Sequence, residues 1–152
     1  MPELVVVSGP SCVGKSPLSK ALRMFYPDIV AKLEPLVLMN SRAPRPGERD
    51  GVDYHFRARG FIQSLQSQSG FLVIESRSDL QAVNLTDVER ILDRGKSPFF
   101  EGNPYVGKAL ISARELDAVE KMTVFVSPLA KEEIASLSAP QKQVDMENLI
   151  TD

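Results

Sequence analysis

An α/β fold with a mainly parallel sheet is predicted by three observations. Leu4-Val5-Val6-Val7 is a short, unbroken, β-branched run of the kind that is buried on both faces of a parallel sheet. That run passes through a glycine-containing turn into a stretch with Leu18, Ala21, Leu22 and Phe25 at helical spacing. Strand signals then alternate with helix signals along the rest of the chain, the pattern of strands joined by crossover helices. The 152 residues suffice for one domain with a proper core, and not for two comfortable ones.

The elements follow in order. Pro27 stops the first helix, and residues 35–39 read as a second strand. An Arg-, Pro- and Gly-rich loop covers residues 40–53 and leads into a short extended Tyr54-His55-Phe56, with His55 directed away from its two neighbours. Phe61, Ile62 and Leu65 suggest an amphipathic helix before a polar turn at 66–70, and residues 71–74 form another strand candidate. A helix capped by Thr86, with Glu89 three residues on, runs to Gly95 and buries Val88, Ile91 and Leu92. A strand from Phe99-Phe100 runs into Glu101-Gly102-Asn103-Pro104. A helix around 112–119, a strand at 123–126 and a helix start after Ser127-Pro128, with Lys131-Glu132-Glu133 as its solvated first turn, complete the pattern.

The formal net charge of -2 gives no general attraction to nucleic acid or to an anionic membrane, so neither is expected as a partner. Phosphate chemistry must therefore come from locally placed basic groups. The single cysteine, Cys12, allows no intrachain disulfide, which suits a cytoplasmic setting. No apolar run reaches membrane-spanning length, and Met1-Pro2-Glu3 lacks the basic start of a signal peptide.

Gly9, Gly14, Lys15 and Ser16 satisfy the spacing G-x-x-x-x-G-K-[ST] between a strand and a helix. Glycines let successive backbone N–H groups turn inward as an anion nest, and the following helix adds its positive end. In that reading Gly9, Pro10, Ser11, Cys12, Val13, Gly14, Lys15 and Ser16 cradle nucleotide phosphates, Lys15 reaches the β- and γ-phosphates, and the Ser16 hydroxyl ligates Mg²⁺. The bland alternative is a Gly-rich turn that happens to carry Lys-Ser. With the phosphate loop, the fold expectation becomes a three-layer P-loop NTPase type. Pro17 fits sterically in a first helical turn but removes one N–H donor, and Cys12 reads as a small filler.

Arg42 and Arg45, stiffened by Pro44 and Pro46, are spaced as a clamp for a phosphate-sized anion, with the Tyr54 hydroxyl as a third donor. Taken alone, such a stretch is more often a solvated charged loop than a site. Together, Gly9-Pro10-Ser11-Cys12-Val13-Gly14-Lys15-Ser16-Pro17-Leu18 and Arg42-Ala43-Pro44-Arg45-Pro46-Gly47-Glu48, ending in Tyr54 and Phe56, resemble the guanylate kinase family. The resemblance implies that the first stretch holds ATP with Mg²⁺ and that Arg42, Arg45 and Tyr54 hold the phosphate of GMP. Lys15 and Arg42 then carry the catalytic charge. It also places the family's D-x-D pair on Glu101 and Asn103, and implies a single domain over 1–152, with a core of about 1–35 and 86–135 and an acceptor-binding insert of about 36–85.

The departures gather where the family recognises guanine. An expected serine is Leu38, and the F-x-E glutamate falls on Val73, with Glu75 two residues later as a substitute or a surface carboxylate. The Y-G-[ST] signature has no counterpart in Asp79-Leu80-Gln81-Ala82-Val83. The lid arginines implied by the family are also missing: Arg114 is the last arginine, and Lys121, Lys131 and Lys142 are the cations beyond it. The expectation is therefore a guanylate-kinase-like chain that is truncated or degenerate after its core. Three functions follow from this: phosphoryl transfer from ATP to GMP, transfer to another small phosphorylated acceptor, or a non-catalytic binding module.

Overall fold

The computed structural model describes residues 1–76, 78–130 and 133. The β-branched run forms β1 (Leu4–Ser8), buried at all five positions. It pairs in parallel on both sides, with β7 (Ser97–Gly102) and β8 (Lys121–Phe125), and β2 (Leu33–Pro35) adds to the far side of β7. The resulting order β2-β7-β1-β8 is a wholly parallel sheet, as the alternation of strands and helices requires.

Helices cover both faces of this sheet. On one side α1 (Lys15–Phe25) and the short α2 (Pro27–Val30) carry no fully buried residue. Ser19 and Leu22 of α1 share a crevice with Leu33 and Phe99. Pro27 both ends the first helix and opens the second, as its fixed φ allows at a first helical position. On the other side α4 (Leu85–Asp93) and α5 (Pro104–Ser112) bury Val88, Ile91, Val106 and Leu110. Alternation along β7 turns Phe100 to this core and leaves Phe99 and Glu101 on the α1 side.

A second, smaller sheet has the order β4-β3-β6-β5, from β3 (Met39–Asn40), β4 (His55–Phe56), β5 (Phe71–Ser76) and β6 (Asp79–Asn84). Leu38, Leu72, Ile74 and Val83 join the main core, so one apolar cluster connects both sheets. The opposite face packs Leu80 and Ala82 under α3 (Arg59–Ser64) and the 3-10 turn Leu65–Ser67, against Ile62 and Leu65.

Several expectations are corrected. Residues 35–39 are not one strand: the apolar run is split between β2 in one sheet and β3 in the other, and residues 36–38 connect them. The helix expected around 112–119 lies at Pro104–Ser112, followed by a 3-10 turn at Arg114–Leu116. Gly107 lies within that helix because α5 presses on β1: an added Cβ would meet the Ser8 Cβ at 2.9 Å. The cap of α4 is Asn84, whose side chain accepts from the Thr86 N–H, rather than Thr86 itself. Strand β6 had no counterpart in the sequence reading. The helix start expected after Pro128 falls largely outside the described residues.

Leu110 is fully buried between the α5 face and both sheets. Leu110→Ala is expected to destabilise the fold by about 2–5 kcal/mol, measured as a shift in the urea-unfolding midpoint.

Candidate active site

The loop between β1 and α1 is held from above by β8. Val126 donates its N–H to the Ser8 carbonyl at 2.8 Å, and its own carbonyl lies where a side chain at position 9 would start, 2.4 Å from an added Cβ. Gly9 is therefore required by close approach. Further round the loop, Cys12 is exposed at φ +61° and Gly14 has φ +100°, the turn that delivers the chain into α1. Lys15 folds back over this turn, and its Nζ donates to the carbonyls of Gly9 at 2.8 Å and Pro10 at 2.5 Å. Burial lowers the Lys15 pKa, and the nearby Glu101 opposes that shift. Pro17 lies inside α1 without interrupting it, and the N–H of Leu18 reaches the Gly14 carbonyl at 3.0 Å.

Glu101, at the end of β7, faces the first turns of α1. Its carboxylate accepts from the Ser16 hydroxyl at 3.1 Å and from the Ser19 hydroxyl. The sequence suggests Glu101 as a polar anchor near both metal and acceptor; in the structure it bonds to the phosphate-loop helix and also lines the cleft. Asn103 caps α5, accepting from the Val106 N–H at 3.0 Å, and also lines the cleft beside Gly102.

Across the cleft, Arg42 is bound before any ligand arrives. Its guanidinium makes a two-point ion pair with Glu48, at 2.6 and 2.7 Å, and a third N–H reaches the Ala43 carbonyl at 2.9 Å. It also lies 5.2 Å from the Tyr54 ring centre and 5.6 Å from that of Phe56. The Tyr54 and Phe56 rings meet at 5.8 Å on one side of the chain, which leaves His55 on the other, as alternation predicts. Glu48 also accepts from the Arg45 N–H at 2.7 Å. Hydrogen bonding from Arg42 is the main reason its pKa falls to about 2. Burial raises the Tyr54 pKa, so the phenol stays a proton donor. The Arg45 guanidinium carries no ion pair among the described residues, so it is the open cation of the pair.

The phosphate loop and the arginine loop line one cleft of about 320 Å³. Gly9, Pro10, Ser11, Lys15 and Ser16 of the first loop, Arg42, Arg45 and Tyr54 of the second, and Glu101 and Asn103 all line it. Cys12, Val13 and Gly14 belong to the loop but do not line the cleft. Glu75 does not line it either. It faces the α3 side of the second sheet and pairs there with Arg59 at 3.0 Å, so it is the surface carboxylate of the two alternatives. The alternating positions of the β5–β6 hairpin point the other way, and Ser76, Asp79 and Gln81 line the cleft with Asn40 of β3. The sequence reading missed these four. The available signal was the period-2 pairing of Asp79 with Gln81, and the place of Asn40 two residues before Arg42.

A family model described as guanylate kinase matches residues 1–151. The chain belongs to the guanylate kinase family. Among similar proteins, the guanylate kinase of Rhodococcus jostii is 34% identical over 129 residues, covering 82% of this chain and 58% of that protein. That of Clostridium perfringens is 30% identical over 149 residues, covering 97% of this chain and 65% of that protein. The chain thus spans roughly three fifths of the length of the guanylate kinases it matches. A crystal structure of guanylate kinase from Anaplasma phagocytophilum shares the fold, with a TM-score of 0.59 at 22% identity over 88% of this chain and 64% of that one. Among the described residues of this family member, no helix is long and apolar enough to cross a membrane.

Because the folded-state pKa of Glu48 lies below its ordinary 4.5, its ion pair stabilises the fold above that pH. The contribution is lost as pH falls toward about 2. Glu48→Gln is expected to cost about 1–2 kcal/mol at neutral pH, given the partial exposure of the pair. The difference in thermal midpoint between the two proteins should narrow steadily on acidification from pH 4.5 toward 2.

Proposed function

We propose that this chain carries the nucleotide-binding core of an ATP-dependent guanylate kinase, transferring the γ-phosphoryl group of ATP to the phosphate of GMP. One observation carries the reading: a glycine loop with its lysine and a two-arginine loop, far apart in sequence, line a single cleft. In this reading residues 9–16 cradle the ATP phosphates, and a segment of about 36–85 forms the acceptor-binding insert. The acceptor phosphate rests against Arg45, the remaining donors of Arg42 and the Tyr54 hydroxyl. Asn103 serves the acceptor from the cleft wall, whereas Glu75 has no part in the site.

An oxygen of the acceptor phosphate forms the new bond to the γ-phosphorus while the bond to the β–γ bridging oxygen breaks and ADP leaves with the electron pair. That oxygen is already anionic at neutral pH, so no strong general base is needed. Positioning and positive charge do most of the work in such a transfer. Lys15 supplies charge next to the transferred group. Its Nζ now bonds two neutral carbonyls, which charged phosphate oxygens can replace as stronger acceptors.

The donor set near Lys15 also suits Mg²⁺. Ser16 and Glu101 present a hydroxyl and a carboxylate that are already adjacent, oxygen ligands of the type a small hard cation takes alongside nucleotide phosphates. These two residues would hold the ion, which would neutralise phosphate charge. A cytoplasmic setting is supported by the lone Cys12 and the nucleotide substrates.

A coupled assay of ADP release tests the proposal. GMP-dependent release is expected from the full chain, falling at least about 100-fold in Lys15→Ala, with a calorimetric loss of ATP·Mg²⁺ binding in the same variant. ADP release that does not depend on GMP, with ATP binding unchanged by Lys15→Ala, would overturn it.

A further inference from the structure

The Glu101 carboxylate is gripped at both oxygens by one face of α1. Ser16 and Ser19 stand three residues apart on that helix, so their hydroxyls lie one above the other on its surface. Ser16 donates to Oε1 at 3.1 Å, and Ser19 donates to Oε2. The two hydroxyls differ in what surrounds them. Ser16 is exposed and lines the cleft. Ser19 is half-buried in the mostly apolar crevice with Leu22, Leu33, Pro35 and Phe99, and it does not line the cleft.

That division sets what the carboxylate can offer. An untethered glutamate turns freely about its last bond and can meet a cation through one oxygen or through two. Here the crevice makes Glu101 the natural acceptor for the Ser19 hydroxyl, since a buried hydroxyl without a partner is costly. Oε2 is therefore committed to the helix, and Oε1, beside Ser16, is the oxygen presented to the cleft. Cations sort on this difference. Mg²⁺ demands octahedral geometry and takes ligand oxygens singly, whereas Ca²⁺ accepts both oxygens of one carboxylate.

We propose that Ser19 is a positioning residue that holds Glu101 to ligation through one oxygen, and so favours Mg²⁺ over Ca²⁺ at the donor nucleotide. The proposal rests on the reading that Ser16 and Glu101 hold the cation of bound ATP. Ser19 touches neither cation nor nucleotide in this arrangement. Its effect passes through the bond to Oε2, so a variant that keeps the hydroxyl keeps the preference.

The test is calorimetric titration of the full chain with ATP in Mg²⁺, in Ca²⁺ and in excess EDTA. Comparing the Mg²⁺-to-Ca²⁺ affinity ratio of a variant with that of the unaltered chain cancels the metals' own affinities for ATP. A cooperative thermal transition shows that each variant is folded. Ser19→Ala is expected to lower the ratio about threefold to tenfold, the worth of one such hydrogen bond. Ser19→Thr, which keeps the hydroxyl, is expected to leave the ratio at that of the unaltered chain. A ratio unchanged in Ser19→Ala, an equal loss with both metals, or a ratio lowered as far in Ser19→Thr overturns the positioning role and leaves the Mg²⁺ reading in place. ATP affinity of the unaltered chain that is the same in EDTA as in Mg²⁺, or no ATP binding at all, overturns both.

Discussion

Parallel pairing on both sides of β1 is the constraint on which the site depends. Because β7, β1 and β8 run in the same direction, their carboxyl ends finish at one edge, with Ser8 level with Gly102 on one side and Phe125 on the other. That edge therefore receives the loop leaving β1, the Glu101 carboxylate at the end of β7 and the Val126 carbonyl just beyond β8. An antiparallel neighbour would have presented the start of a strand there instead. The same geometry brings the N-terminus of α1 to the edge, so backbone N–H groups, the helix dipole and Lys15 gather at one end of the sheet. Gly9 follows from this crowding, since the carbonyl of β8's continuation occupies the space its side chain would need.

The facing wall is organised by a different interaction. The two-point pairing of Arg42 with Glu48 fixes a loop rich in Pro and Gly, and the Tyr54 and Phe56 rings hold the guanidinium from the side. This order has an electrostatic cost for anion binding, because the arginine best held is also the one best neutralised. Arg45 remains the open cation of the pair among the described residues. Preorganisation and charge are thus divided among neighbouring residues.

Much of the architecture was legible because it is written locally. A β-branched run followed by a glycine turn and a helical period is a short-range pattern, and β1, the loop and α1 fall where that pattern puts them. The failures come from positions where distant packing overrides local preference. The apolar run at 35–39 suggests a single strand, but the chain leaves one sheet and enters another within it. A helix is expected around 112–119, but the chain turns helical at Pro104–Ser112, where Gly107 lets α5 lie against Ser8 of β1. Thr86 looks like a cap, and Asn84, which ends β6, takes that place because the strand runs straight into the helix.

The amino-acid sequence by itself determined the glycine-containing loop with Lys15 and the spaced arginines with their glutamate, since their geometry depends on neighbours within a few residues. Membership of the guanylate kinase family was legible in those same stretches and agrees with the family match. Only the tertiary structure decided which face of β5 and β6 looks into the cleft. Alternation leaves two answers, and the packing of α3 on Leu80 and Ala82 selects one of them. That choice sends Glu75 to the surface beside Arg59 and turns Ser76, Asp79 and Gln81 inward. The polar lining that the second sheet gives the cleft is therefore set by a helix that does not touch it, through burial of an apolar face on the other side of that sheet.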